Sequence, residues 1–110
     1  MKQKEIYWFD LNPGIGSEQR GLRPAVIVSG DILNKSMRVC IICPLTSILK
    51  NHPGCLLLKK NSLNNLSHDS EVLTFQIRVI SQTRIKDRIG EISDEELDQI
   101  LVLLNKILRY

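Results

Sequence analysis

The sequence predicts a mainly β fold, a small and strongly curved antiparallel sheet or half-open barrel with one C-terminal helix packed on it. Short runs of β-branched and aromatic residues, bounded by Gly, Pro, Asn, Asp and Ser, recur through the first nine-tenths of the chain. Helical periodicity appears only after them. With 110 residues, 43% hydrophobic and 25% charged, the chain can bury one core without disulfides or metal, so residues 1–110 read as one domain.

Glu5-Ile6-Tyr7-Trp8-Phe9-Asp10-Leu11 reads as the first strand, stopped at Asn12-Pro13-Gly14 because proline has no N–H for a ladder. Trp8 and Phe9 point to opposite faces there, so at most one faces a groove, and burial in the core is the expectation for each. A polar, glycine-punctuated loop follows, from Gly14 to Leu22. Arg23-Pro24 then opens a second strand, Ala25–Ser29, apolar on both faces. A turn is expected around Gly30-Asp31 and Asn34-Lys35-Ser36, then a third strand from Met37 to Cys43, broken by Pro44. Thr46 and Ser47 would sit just past its end.

Leu56–Leu58 reads as a short strand, and Glu71–Gln76 with Ile77–Ile80 as further strand, possible as one bent piece. Arg88–Ile92 is expected as the last. The only predicted helix begins with a capping box, Ser93 with Glu96. Leu97, Ile100, Leu101, Leu104, Ile107 and Leu108 recur on one face behind it, a stripe read as core packing.

Charge is unevenly spread. Residues 91–110 hold five acids against Lys106 and Arg109, a net of −3, which leaves +6 on residues 1–90 of a chain that carries +3 in all. A basic body points to an anionic partner, with nucleic acid the first candidate, although many small proteins carry such an excess without one. No basic amphipathic helix recommends a membrane surface. The apolar stretch Val39–Leu45 falls far short of a spanning helix, and Met1–Lys4 leads straight into a strand, so a cytoplasmic protein is expected.

Three cysteines in such a chain do not suggest a disulfide framework. Cys40-x-x-Cys43 lies within a strand-like run, where residues three apart face opposite ways, and so reads as two small buried side chains rather than half a zinc site. Gly14-Ile15-Gly16 lacks the third glycine and the helix of a dinucleotide fingerprint. His52 and His68 are loop histidines with no spacing that joins them, read as solvated. No metal-ligand motif or activated serine is present, and no cofactor is expected.

What remains is Ser17-Glu18-Gln19-Arg20-Gly21-Leu22-Arg23-Pro24, with Thr46-Ser47 and Gln76-Ile77-Arg78. Pro24 holds Arg23 out of α conformation at the mouth of an apolar strand, so its guanidinium leaves a stiff anchor. A rigid fork of donors there suits a phosphate. The competing reading is an arginine that pairs with Glu18 and merely pins the loop. The residues leave both open.

The string from Gly16 to Ser29 (GSEQRGLRPAVIVS), then Pro44-Leu45-Thr46-Ser47, then Asp69 to Arg78 (DSEVLTFQIR), resembles the MazF/PemK family of toxin endoribonucleases, and the resemblance runs through the acidic-capped helix. It implies an SH3-like barrel that forms a homodimer, cuts single-stranded RNA without a metal, and is inhibited by a cognate antitoxin. It assigns catalysis to Arg23 and Thr46, with Glu18 a further functional position and a candidate base. Ser17, Gln19, Arg20, Ser47, Gln76 and Arg78 would contact the RNA. Lys4–Trp8 replaces the family's usual Gly-Asp start. Some members carry an aspartate and a histidine where this chain has Phe75 and Ser17, so an Asp/His scheme does not transfer.

Metal-free cleavage of this kind uses the substrate's 2′-hydroxyl on the adjacent phosphate, giving a 2′,3′-cyclic phosphate and a 5′-hydroxyl. Two other readings share the fold: a toxin that binds DNA gyrase and cuts nothing, whose activity resides at the C-terminal end, and a plain RNA-binding barrel. The distinctive groups here lie in the Ser17–Arg23 loop, which favours the nuclease.

Overall fold

A computed structural model describes residues 1–110. Seven strands are present: β1 (Glu5–Asp10), β2 (Leu22–Ile27), β3 (Val39–Thr46), β4 (Leu56–Leu58), β5 (Ser70–Val72), β6 (Arg78–Ser81) and β7 (Ile85–Glu91), with helices α1 (Asp31–Ser36) and α2 (Asp94–Arg109). All pairings are antiparallel, in the order β4-β5-β3-β2-β1-β7, with β6 also on β3. The sheet is not closed, but it is strongly curved: Ile80 of β6 and Ile85 of β7, from opposite ends of a five-strand run, meet one cluster with Phe9, Leu11, Ala25, Ile27, Cys40 and Ile42. A flat sheet would keep them far apart.

The other face carries a second core. Ile6, Val26, Cys43, Leu45, Leu58 and Val72 pack there against Leu97, Ile100 and Leu104 of α2. β2 and β3 therefore feed both cores by simple alternation, and Cys40 and Cys43 go to opposite ones as reduced, buried thiols. Burial pushes the Cys43 thiol up to about 12 and that of Cys40 to about 11. Helix α2 starts with the reciprocal Ser93–Glu96 capping box. Half of its apolar stripe departs from the core reading, because Leu101, Ile107 and Leu108 are 43%, 37% and 74% exposed: a sheet this narrow covers only the Leu97–Ile100–Leu104 line.

Five boundaries differ from those expected. Strand β2 begins at Leu22 and ends at Ile27, with Arg23 and Pro24 already paired to Phe9 and Trp8 of β1. The segment after Gly30 forms α1, six residues without a side-chain cap of its own. Tertiary bonds hold it, with Asn34 buried and donating to the Ser29 carbonyl at 2.9 Å while Asp31 accepts from the Gln3 N–H at 2.8 Å. Strand β3 runs through Pro44 to Thr46. It pairs with β6 over Val39–Ile42 and with β5 over Leu45–Thr46, so the missing N–H falls where the strand changes partner and removes no ladder bond. After β5 the chain turns through a 3₁₀ segment, Thr74–Gln76, anchored by the Thr74 hydroxyl to the Gly54 carbonyl at 2.7 Å. β7 begins earlier than expected, at Ile85, because exposed Lys86, Asp87 and Arg88 hide its alternation.

Gly90 on β7 makes a close approach. A Cβ there would lie 2.3 Å from the Asn64 carbonyl oxygen. Buried Asn64 organises that loop, accepting from the N–H groups of Asn61 and Leu66 and donating to the Lys59 carbonyl.

Candidate active site

Arg23 and Thr46 lie at neighbouring ends of β2 and β3. Those strands pair up to Ala25 opposite Pro44, and Arg23 and Thr46 each lie two residues beyond that last pair. Both line a hollow of about 540 Å³ that also takes in Trp8, Ser47, His68 and Arg88. The Arg23 side chain is exposed, its Nε donating to the Arg20 carbonyl at 3.1 Å. None of the ion pairs includes Arg23 or Glu18, so the reading in which these two pair and pin the loop is not realised. Thr46 Oγ1 accepts from the Ile48 N–H at 3.2 Å, which leaves its own proton for another acceptor.

Arg88, the second guanidinium of this hollow, is neutralised by Glu5, 2.8 Å from its Nε, and lies 3.8 Å from Glu91. Burial raises the Glu5 carboxyl, but the Arg88 hydrogen bond, the Lys2 N–H and the Tyr7 hydroxyl together hold it below the usual carboxylate range. Arg23 is thus the unpaired cation of the hollow.

Ser17, Glu18, Gln19, Gln76 and Arg78 line a second hollow of about 380 Å³. Gln76 holds it in shape: its Oε1 accepts from the Gln19 N–H at 2.7 Å and its Nε2 donates to the Ser17 carbonyl at 3.1 Å. Arg78 reaches the Leu11 carbonyl at the base of the same loop, 3.5 Å away. A third hollow, about 400 Å³, shares Ser17, Gln19, Phe75 and Gln76 with the second and Thr46 with the first. The three therefore form one groove. Arg20 lines none of them; its stem packs against Gly14, where an added Cβ would lie 2.6 Å away.

The middle hollow rests on a buried carboxylate. Glu71, 4% exposed at its side chain, accepts from the Lys50 N–H at 2.9 Å and the His52 N–H at 3.2 Å, and His52 Nδ1 stands 3.2 Å from Oε1. The Lys50 N–H, opposed by burial and aided by His52, holds the Glu71 carboxyl below its ordinary range. No three His, Cys, Asp or Glu side chains gather as a metal-ligand set.

A sequence profile described as the PemK-like, MazF-like toxin of type II toxin-antitoxin system matches residues 2–108. The chain belongs to the PemK/MazF toxin family. Among its relatives, endoribonuclease EndoA of Bacillus subtilis is 30% identical over 101 residues, covering 91% of this chain and 87% of that protein. The crystal structure of MazF from Deinococcus radiodurans superposes with a TM-score of 0.86 at 24% identity, over 100% of this chain and 97% of that one. A mycobacterial endoribonuclease in complex with its cognate antitoxin has a TM-score of 0.80 at 19% identity, over 98% and 94% of the two chains.

In this PemK/MazF chain, the sequence reading missed the contributions of Trp8, His52 and Glu71 to the groove; His68 is an exposed loop residue, as expected, on the border of the Arg23 hollow. Trp8 is 39% exposed and borders the Arg23 hollow, while Phe9 is buried. Ile6, two residues earlier on the Trp8 side of β1, fills the α2 core; Trp8 lies nearer the strand end. Strand alternation was the available signal, since it separates Trp8 from Phe9. His52 is half-buried on Glu71 rather than solvated. Nothing local in the sequence announces that bond, whose partners lie 19 residues apart.

Proposed function

We propose that this PemK/MazF chain, acting as one toxin domain over residues 1–110, is a cytoplasmic endoribonuclease that cuts single-stranded RNA, messenger RNA included, at particular sequences and without a metal. The carrying observation is the Arg23 guanidinium, free of any ion pair, in one hollow with Thr46. Family membership and the endoribonuclease named among its relatives support the same reading.

In this scheme the RNA's 2′-hydroxyl gives up its proton to the base and attacks the adjacent phosphorus, the bond to the 5′-oxygen breaks, that oxygen takes up a proton in turn, and a 2′,3′-cyclic phosphate and a 5′-hydroxyl result. Negative charge grows on the non-bridging oxygens. The Arg23 fork, with no carboxylate competing for it, stabilises that charge, and a preorganised donor of this kind contributes about 3 to 4 kcal/mol to lowering a barrier. Thr46 donates its free proton to the phosphate. Guanidinium is too weak an acid to lose its proton and serve as base; Glu18, on the second hollow, is the candidate for that role. Ser17, Gln19, Ser47, Gln76 and Arg78 bind the strand along the groove, with Arg20 on its outer flank.

The protein acts as a homodimer and is restrained by a cognate antitoxin. An acidic, partly disordered antitoxin segment suits the +6 carried by residues 1–90.

The test is incubation of end-labelled single-stranded RNA with the protein in excess chelator. Fragments ending in a cyclic phosphate are expected. Intact RNA with inhibited gyrase would favour the gyrase-binding toxin, and RNA bound but uncut would favour the plain binding barrel.

A further inference from the structure

We infer that the middle hollow of the groove is a nucleobase subsite built by Phe75 and His52, with Glu71 as the residue that positions the imidazole; the inference rests on the reading of the groove as an RNA site. A carboxylate only accepts hydrogen bonds, so the contact at 3.2 Å places a hydrogen on His52 Nδ1 and leaves Nε2 for a ligand. Two backbone N–H groups fix the same carboxylate from behind. The imidazole is therefore held in one orientation by a buried, fully partnered anchor.

Its ring packs against Phe75 at a centroid distance of 5.4 Å, tilted by 51°. Phe75 is 48% exposed, although its neighbour Thr74 is fully buried. The 3₁₀ turn thus drives one residue inward and presents the next, an aromatic ring, to the groove. Both rings line the hollow of about 400 Å³, with Thr46 and Gln19 on its walls. A space of that size takes one unstacked base beside the scissile linkage. Single-stranded RNA is read in this way, by stacking on an aromatic face and by hydrogen bonds to the base edge. Phe75 supplies the face. Nε2 of His52 supplies the edge contact.

The probes are four homopolymeric RNA heptamers carrying 2′-O-methyl groups, which block the nucleophile and prevent cutting, with Kd read by fluorescence anisotropy. The wild type is expected to rank the four bases over at least about a tenfold range. Phe75→Leu should weaken all four by about tenfold, the size of one aromatic stack. His52→Gln and Glu71→Ala should compress the ranking, and Glu71→Gln, which keeps an acceptor for Nδ1–H, should restore most of it. A purely structural Glu71 would lower melting temperature without changing the ranking. Wild-type affinities and ranking preserved in Phe75→Leu and His52→Gln would overturn the subsite, as would a wild type that binds none of the heptamers. Cleavage of unmodified RNA is scored separately, and binding in the expected pattern without any cutting would remove the endoribonuclease reading while leaving the subsite standing.

Discussion

Arg23 and Thr46 lie two residues beyond the Ala25–Pro44 pair, where the β2–β3 ladder ends, and both line the same hollow. Neither position depends on a flexible loop, because each is the continuation of a strand that feeds both cores.

The first prediction follows from that placement. Arg23→Ala and Thr46→Ala should each lower the single-turnover cleavage rate by about 10² to 10³. Arg23→Lys should recover little, because an ammonium lacks the planar fork. Retention of more than a tenth of the rate in Arg23→Ala would remove Arg23 from the chemistry.

Gln76 ties the Ser17–Gln19 segment through two hydrogen bonds. In Gln76→Ala the Gln19 amide should exchange with solvent at least about tenfold faster, while amides of α2 keep their protection. Cleavage should weaken mainly through KM. Unchanged exchange at Gln19 would mean that the loop is held by something else.

Gly90→Ala drives a methyl group to 2.3 Å from the Asn64 carbonyl. A loss of about 2 to 3 kcal/mol in urea unfolding is expected, since backbone rather than a flexible side chain must move. Gly30 has open space around it and an extended φ of −67°. Gly30→Ala should therefore stay within about 1 kcal/mol of the wild type. Equal effects at the two glycines would contradict the packing described.

The Glu71 carboxyl titrates below its ordinary value of 4.5 in the folded protein. Folding therefore favours the ionised form, a contribution fully present above the unfolded-state pKa and lost as pH falls from about 4.5 through the lower folded value. Urea midpoints measured from pH 7 down to pH 3 should fall less steeply for Glu71→Gln than for the wild type. Glu5, lowered in the same direction, keeps an acid limb in both proteins. Parallel curves would show that Glu71 ionisation is not linked to folding.

Strand runs, the capped helix and the opposed cysteines were legible because each rests on a period of two or 3.6 residues. Arg23 was singled out through Pro24, which restricts the backbone before it, whereas Thr46 rested on the family resemblance. The short α1 was not, because its stability comes from Asn34 buried against Ser29 rather than from its own six residues. Pro44 misled for a related reason: whether a missing N–H matters depends on which neighbour the strand has at that point. His52 and Glu71 stayed invisible as a pair, since a bond across 19 residues exists only once β3 and β5 are aligned.

The segment from Ser47 to Cys55 hangs between two rigid strands, and its middle is fastened by one carboxylate through Lys50 and His52. Both ends of this span are tied to the sheet whatever happens between them, so one side chain from a distant strand sets the shape of its centre.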